Sequence, residues 1–210
     1  MDPLLITRNI VLVLLSYLIG SVPFCYIIAK IKHRNLTQIG DRNPGGWNLT
    51  FNVSKFWGLI GIIFDMAKGF LPFYLISAYT GSTGLALIAG CAAVAGHNYS
   101  PLLKFSGGKG MATLLGLLLA INPFSVLAFG VGILLGLFLI RNMIWGVLSG
   151  ISWAAIFFLL YYNSTIYILF WLLLFLIIIP KYLNHNIAFI KNFKFKKEKS
   201  LKDLFAPKIR

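Results

Sequence analysis

Apolar residues run along this chain in long blocks, at roughly 4–31, 56–79, 82–103, 111–122, 124–140, 143–162 and 164–180. A helix needs about 20 apolar residues to cross a bilayer, so the blocks predict seven transmembrane helices. The fourth block is short and ends at Asn122-Pro123; if it re-enters rather than crosses, the count becomes six. The first block, within "MDPLLITRNIVLVLLSYLIGSVPF", reads as a retained span rather than a signal peptide. Its early cation, Arg8, follows the acidic Asp2, and no small-x-small cleavage site closes the run.

Composition agrees with lipid as the solvent. Of 210 residues 59% are hydrophobic and 11% charged, and the mean hydropathy is +0.84. No water-soluble domain of this size hides so much apolar side chain. The expected fold is an all-α integral membrane bundle. Residues 1–185 form one transmembrane domain, and 186–210 a basic cytoplasmic tail, interfacial or disordered.

Charge then orients the bundle. The joints Tyr79–Gly84, Asn122–Pro123 and Tyr161–Thr165 are uncharged. The others carry Lys32, Arg34, Arg42 and Lys55, then Lys104 and Lys109, then Arg141, then a lysine-rich tail. Basic loops stay in the cytoplasm, which places the N-terminus outside and the C-terminus inside. The net charge of +14 is thus a topology signal and calls for no nucleic-acid partner. The tail "NIAFIKNFKFKKEKSLKDLFAPKIR" fits either a segment lying on an anionic leaflet or a plain positive-inside anchor. Cys25 and Cys91, isolated in apolar blocks, read as small buried hydrophobes. Gly132/Gly136 and Gly146/Gly150, with Ala86/Gly90 and Ala112/Gly116, have the spacing that lets helices approach closely in lipid.

Candidate chemistry gathers in two glycine-rich loops on the basic side. In "AGHNYSPLLKFSGGKGMAT", Gly107, Gly108, Lys109 and Gly110 lead into an apolar helix whose free N–H groups and dipole suit a phosphate or carboxylate. A nucleotide P-loop would need glycine at Leu103 and a hydroxyl at Gly110. A simple glycine turn between helices is the alternative. In "IGDRNPGGWNLT", Asn43, Gly45, Gly46 and Asn48, flanked by Arg42, could form a second nest of backbone donors. Two anion cradles beside an apolar bundle suggest an amphiphilic substrate meeting a phosphorylated, water-soluble one. Asp65 and Lys68 lie one turn apart, about 15 Å into their helix. Groups at that depth are functional candidates by default, but this pair can neutralise itself and reads first as structural. His97, at the inner end of its helix, is either an interfacial hydrogen-bonding group or a proton acceptor.

The strings "YLIGSVPFCYIIAK" (Tyr17–Lys30), "GDRNPGGWN" (Gly40–Asn48), "IIFDMAKGFLP" (Ile62–Pro72), "GHNYSPLLKFSGGKGMAT" (Gly96–Thr113) and Asn186-Ile187 follow an order and spacing that covers most of the chain. In these the chain resembles the bacterial acyl-phosphate:glycerol-3-phosphate acyltransferases. The resemblance implies a seven-helix membrane enzyme with its N-terminus outside, in the bacterial plasma membrane, its active face cytoplasmic. It implies transfer of a fatty acyl group from acyl phosphate to the 1-hydroxyl of glycerol 3-phosphate, giving lysophosphatidate and phosphate. It implies no cofactor: no metal, coenzyme A or carrier protein. Its partners would be acyl phosphate, a phosphorylated polyol and membrane lipids; oligomeric state is not implied.

Carried over residue by residue, Gly107, Gly108 and Gly110 correspond to the glycines that hold glycerol phosphate. Asn43, Gly45, Asn48, His97, Arg141 and Asn186 also match. Where that family has serine, glycine, threonine and arginine in and after the first motif, this chain has Asp41, Arg42, Trp47 and Phe51. Its C-terminal histidine and arginine positions are Leu183 and Asn184, and its G-T-E is Phe193-Lys194-Phe195. His185 lies on the opposite helix face from the missing histidine, about 200° round. The expected catalytic groups are Asp41, His97 and Asn186. The expected phosphate-binding groups are Arg42, Asn43, Gly45, Asn48, Lys104, Gly107, Gly108, Lys109, Gly110 and Arg141. Asp41 stands either as a base or as a repulsive element that favours a less charged acceptor. Two other readings stay open: a catalytically silent paralogue that binds lipid phosphate or regulates an active homologue, and a small transporter. The one-sided charge and absent inverted repeat speak against the last.

Overall fold

The computed structural model describes residues 2–141 and 143–191, with side chains undescribed at 144 and 183–191. All regular structure among the described residues is helical. The order is α1 (Pro3–Ser21), α2 (Phe24–Ile31), α3 (Gly46–Asn52), α4 (Lys55–Thr80), α5 (Thr83–Asn98), α6 (Met111–Ile121), α7 (Pro123–Ile140), α8 (Met143–Tyr162) and α9 (Thr165–Lys191). A single 3-10 turn at Pro101–Leu103 follows α5.

Each apolar block is helical, and polar residues set the starts. Asp2 accepts from the Leu4 N–H with Pro3 at the first helical position, and Asn122 accepts from Phe124 ahead of α7 in the same way. Ser54 and Ser82 cap α4 and α5, and Gly81 ends α4 in the left-handed region. Among the described residues, five spans are long and apolar enough to cross a membrane: Pro3–Ile31, Lys55–Thr80, Pro123–Ile140, Trp145–Tyr162 and Thr165–Tyr182. With 16 and 11 residues, α5 and α6 are shorter, and α6 is the segment expected to be short. Large apolar side chains such as Leu134, Phe138, Leu160 and Leu176 stay exposed on the outside of the bundle, a surface suited to lipid.

The first block differs from the uninterrupted helix its composition predicts. It breaks at Val22-Pro23, because proline has no N–H to return to the preceding turn and its ring clashes there. Helix ends leave carbonyls without partners, which is costly away from water. Here two are taken by side chains from elsewhere: Ser100 Oγ donates to the Ser21 carbonyl at 2.6 Å, and Lys68 Nζ to the Val22 carbonyl at 2.9 Å. A second difference is α3, a short helix inside the first polar loop. A third is the early end of α5 at Asn98, five residues before its apolar block ends.

Close helix contacts use small residues, among them pairs the sequence singled out. A Cβ on Gly132 would come 2.8 Å from the Cα of Gly150, and one on Gly136 2.9 Å from that of Gly146, so α7 and α8 meet backbone to backbone. The same holds where Gly116 of α6 meets the Met66 carbonyl of α4, and where Gly20 of α1 meets Ala93 of α5. The main apolar core is built from α4 to α9, around Phe158, Leu117, Leu174 and Trp171. A smaller cluster of Cys25, Ala29, Leu36 and Leu49 supports the first loop.

Candidate active site

The first loop is folded by its own polar side chains. Gly40 and Arg42 both adopt left-handed backbone, with φ of 56° and 58°. The Asn43 N–H donates to Asp41 Oδ1 at 3.2 Å, fixing a tight turn. Asn48 is fully buried beneath it. Its Nδ2 lies within 2.9 to 3.0 Å of the carbonyls of Leu36, Ile39 and Asn43, and its Oδ1 accepts from Asn52 at 2.8 Å. Asn48 therefore shapes the loop from inside, whereas Asp41, Arg42 and Asn43 stay partly or fully open to solvent. Trp47 and Phe51, one turn apart on α3, pack ring on ring at 4.5 Å.

The second loop lies directly against the end of α5. The Gly108 N–H donates to the His97 carbonyl at 3.0 Å. A Cβ on Gly107 would run into that carbonyl, on Gly108 into His97 Nε2, and on Gly110 into Asn98 Oδ1. Gly110 also has φ of 80° and precedes the first turn of α6. Close packing on α5 thus requires these glycines, and the same packing presents the N-terminal end of α6 beside Lys109. Lys104, exposed, ends the 3-10 turn with φ of 51°.

The two loops meet. Lys109 Nζ lies 3.3 Å from Asp41 Oδ2, with both side chains about one-fifth exposed. The lysine also sits 5.9 Å from the centre of the Tyr182 ring, brought in by α9. The expected phosphate cation and the expected catalytic carboxylate are therefore paired with each other.

Behind the second loop lies a buried polar cluster. Lys68 Nζ is 2.8 Å from Asp65 Oδ1, with the two residues 3% and 1% exposed. The expectation was a self-sufficient pair, but Asp65 reaches further. Its Oδ2 accepts from the Cys25 thiol at 3.1 Å, and its Oδ1 lies 3.7 Å from His97 Nδ1. Cys91 is buried among hydrophobes as expected, while Cys25 is buried against a carboxylate.

The expected site residues are thus only partly gathered. Asp41, Asn43, Gly45, Asn48, His97, Gly107, Gly108, Lys109 and Gly110 belong to the two loops and the end of α5 between them. Arg141, exposed at the end of α7, makes no described hydrogen bond or ion pair with either loop. Asn186 falls within α9, with its side chain, like those of Leu183, Asn184 and His185, outside the described ones. Phe193, Lys194, Phe195 and the basic tail beyond Lys191 lie outside the described residues. Sequence reasoning missed Lys181, whose Nζ donates to the Phe105 carbonyl at 3.3 Å and sits 5.2 Å from the Tyr99 ring centre. It ties α9 to the second loop from 76 residues away, with no local pattern to reveal it.

Residues 10–192 match the sequence model of the family described as glycerol-3-phosphate acyltransferase. Among relatives, the glycerol-3-phosphate acyltransferase of Thermosipho melanesiensis is 38% identical over 117 residues, 56% of this chain and 58% of that protein. Glycerol-3-phosphate acyltransferase 4 of Dehalococcoides mccartyi is 38% identical over 148 residues, 69% of this chain and 80% of that protein. The chain thus spans less than two thirds of the length of the Thermosipho relative. The crystal structure of PlsY (YgiH), an integral membrane glycerol 3-phosphate acyltransferase in its glycerol 3-phosphate form, superposes with a TM-score of 0.81 at 27% identity. That match covers 94% of this chain and 99% of PlsY. The lysophosphatidic acid form of PlsY matches with a TM-score of 0.80 at 26% identity.

Proposed function

The chain belongs to the glycerol-3-phosphate acyltransferase family, and on that footing we propose that it moves a fatty acyl group from acyl phosphate to a hydroxyl of a polyol phosphate. With glycerol 3-phosphate as acceptor, the compound for which one of the matched PlsY forms is named, the product would be lysophosphatidate. The observation that carries this reading is the joining of the two glycine-rich loops through Asp41 and Lys109, with the second loop packed on the end of α5 at His97.

The chemistry needs three things: a hydroxyl, a group to take its proton, and donors for the departing phosphate. The acceptor oxygen attacks the carbonyl carbon and forms the ester. The bond from that carbon to the bridging phosphate oxygen breaks, and phosphate leaves with the electron pair. The N–H groups at the start of α6 and the Lys109 ammonium suit a phosphate at this place, with Gly45, Asn43 and Arg42 of the first loop as further candidates. Of the two roles open to Asp41, its pairing with Lys109 supports acceptor selection. A phosphate reaching Lys109 must displace a carboxylate already there, and a dianion is repelled by that carboxylate. His97, with Nε2 facing the loop, is then the proton acceptor. Asn186 of α9 and Arg141 at the end of α7 would be further polar groups for the substrates, and Lys104 a further cation, by the resemblance alone.

The enzyme would work in the bacterial plasma membrane with seven spans, its N-terminus outside and both loops facing the cytoplasm. Cysteines introduced at Ser82 and Ser200 test this in intact cells. Labelling of the first alone supports the orientation, and external labelling of the second overturns it.

Purified protein given acyl phosphate and a panel of polyol phosphates should release phosphate and form a monoacyl ester in equal amounts. No ester with any acceptor, alongside retained lipid-phosphate binding, would favour a silent paralogue. The occupied Lys109 is the observation that keeps this second reading in play.

A further inference from the structure

We propose that Tyr182 of α9 is a positioning residue for the anion site: its ring and the Asp41 carboxylate hold the Lys109 ammonium between them, so the cation of the second loop is placed from α9. That role rests on the acyl-transfer reading above, which makes the bound phosphate an acceptor's.

The glycines around Lys109 are fixed by backbone packing on His97 and Asn98. Such packing sets where the chain runs, but a lysine carries its charge on a flexible four-carbon stem that the backbone does not direct. Two groups meet the far end of that stem. Asp41 Oδ2 lies 3.3 Å from Nζ, and the centre of the Tyr182 ring lies 5.9 Å away. An aromatic face attracts a cation within about 6 Å, and more strongly where water is excluded. Tyr182 is 7% exposed. Asp41 also acts electrostatically on the Tyr182 phenol, so the three groups are mutual neighbours.

The two partners treat an arriving phosphate differently. The carboxylate repels it and competes with it for the ammonium. The ring has no net charge and takes none of the three N–H donors, so it can steady the stem while phosphate accepts from Nζ.

The ring is placed by the way α9 is fastened. Pro180 has no N–H to give the Leu176 carbonyl, which opens the backbone ladder at that turn. Beside this gap the Ile177 carbonyl accepts from the Tyr99 hydroxyl at 3.1 Å and from Asn98 Nδ2 at 3.3 Å. Lys181, one turn on along the same face, donates to the Phe105 carbonyl at 3.3 Å. These contacts fix α9 against the end of α5 and the start of the second loop. Tyr182 is the next residue, about 100° further round the helix. The register that puts Lys181 on Phe105 therefore puts an aromatic ring beside Lys109, four residues along the loop.

The test uses full-length protein in nanodiscs, dialysed to equilibrium against radiolabelled glycerol 3-phosphate and, separately, inorganic phosphate. Tyr182→Leu should weaken binding of both about 3- to 10-fold per folded molecule, the range a lost cation–ring contact spans. In the acyl-phosphate assay KM for the acceptor should rise by the same factor, with kcat changed less than about twofold. Tyr182→Phe keeps the ring and should bind within about twofold of wild type. Tyr182→Met is a second ringless variant for use if Tyr182→Leu does not fold. With Lys109→Ala already in place, removing the ring should do nothing further, because Tyr182 acts through that lysine. A ring that only fills the core would lower the folded fraction and leave affinity per folded molecule unchanged, and that result overturns the proposal. So does an equal loss in Tyr182→Phe, a full further loss in the Lys109→Ala background, or a wild type that binds neither phosphate. Wild-type protein that binds phosphate and makes no ester removes the acyl-transfer reading, and the dialysis comparison still decides the role of Tyr182. Ester formation with unaltered binding in the ringless variants removes the proposal alone.

Discussion

Gly132 and Gly136 of α7 meet Gly150 and Gly146 of α8, whereas Gly107, Gly108 and Gly110 meet the carbonyl and ring of His97 and the amide of Asn98. Both sets are glycine because a neighbour comes too close for a Cβ. In the hairpin of α7 and α8 the neighbour is another helix backbone, and the contact does nothing but hold. In the second loop the neighbours are polar groups, one of them an imidazole, so the same closeness fixes a reactive atom relative to a row of backbone donors. The difference separates scaffold from chemistry, and substitutions can be aimed at each.

The largest effect should come from Gly108→Ala. The new methyl would occupy the place of His97 Nε2, so the ring must swing away or the loop must lift. Turnover should drop about 100-fold in an acyl-phosphate assay, the range a displaced acid–base group loses. Unchanged turnover would make the loop a mere turn. Lys109→Ala should come next, raising KM for phosphorylated acceptors about 10- to 100-fold, as loss of a charge-assisted contact does. An uncharged polyol should be far less affected, and competition binding with inorganic phosphate checks this directly. Gly136→Ala should act on the other side of the comparison. Overpacking at the α7–α8 contact should cost about 1–3 kcal/mol, read as a lower melting temperature in detergent, while turnover per folded molecule holds. Lost turnover without lost stability would erase the distinction.

Asp41→Asn should have the smallest effect. A partly exposed ion pair of this kind is worth about 0.2–1 kcal/mol, so releasing Lys109 should lower KM for a phosphorylated acceptor by about two- to fivefold. Adding Phe51→Arg to Asp41→Ser should sharpen the preference for glycerol 3-phosphate further, by supplying a cation in place of a ring. A loss of all turnover on Asp41→Asn would instead make that carboxylate the base.

The bundle was legible in the sequence because lipid demands continuous apolar blocks, and every block is helical. The break at Val22-Pro23 carried its signal in the proline, but composition alone read through it. The helix α3 was hidden because glycine and proline dominate its surroundings, and it forms on tertiary support from Asn48 and Leu49. In the site, the two loops and Lys109 stood out as departures from apolar monotony. Their pairing through Asp41 did not, since 68 residues separate the partners. Asp65 and Lys68 were visible as an i, i+3 pair, and that spacing describes one helix only. Cys25, His97 and the Val22 carbonyl join them from other segments, where periodicity carries no information.

The central claim is acyl transfer with attack at the carbonyl carbon. Acyl phosphate carrying 18O in the bridging position, incubated with the purified protein and glycerol 3-phosphate, tests it most directly. The account predicts that all label leaves in inorganic phosphate and none enters the ester or the acceptor. Label retained in a free fatty acid, or unchanged acyl phosphate after prolonged incubation with every polyol phosphate, would contradict it.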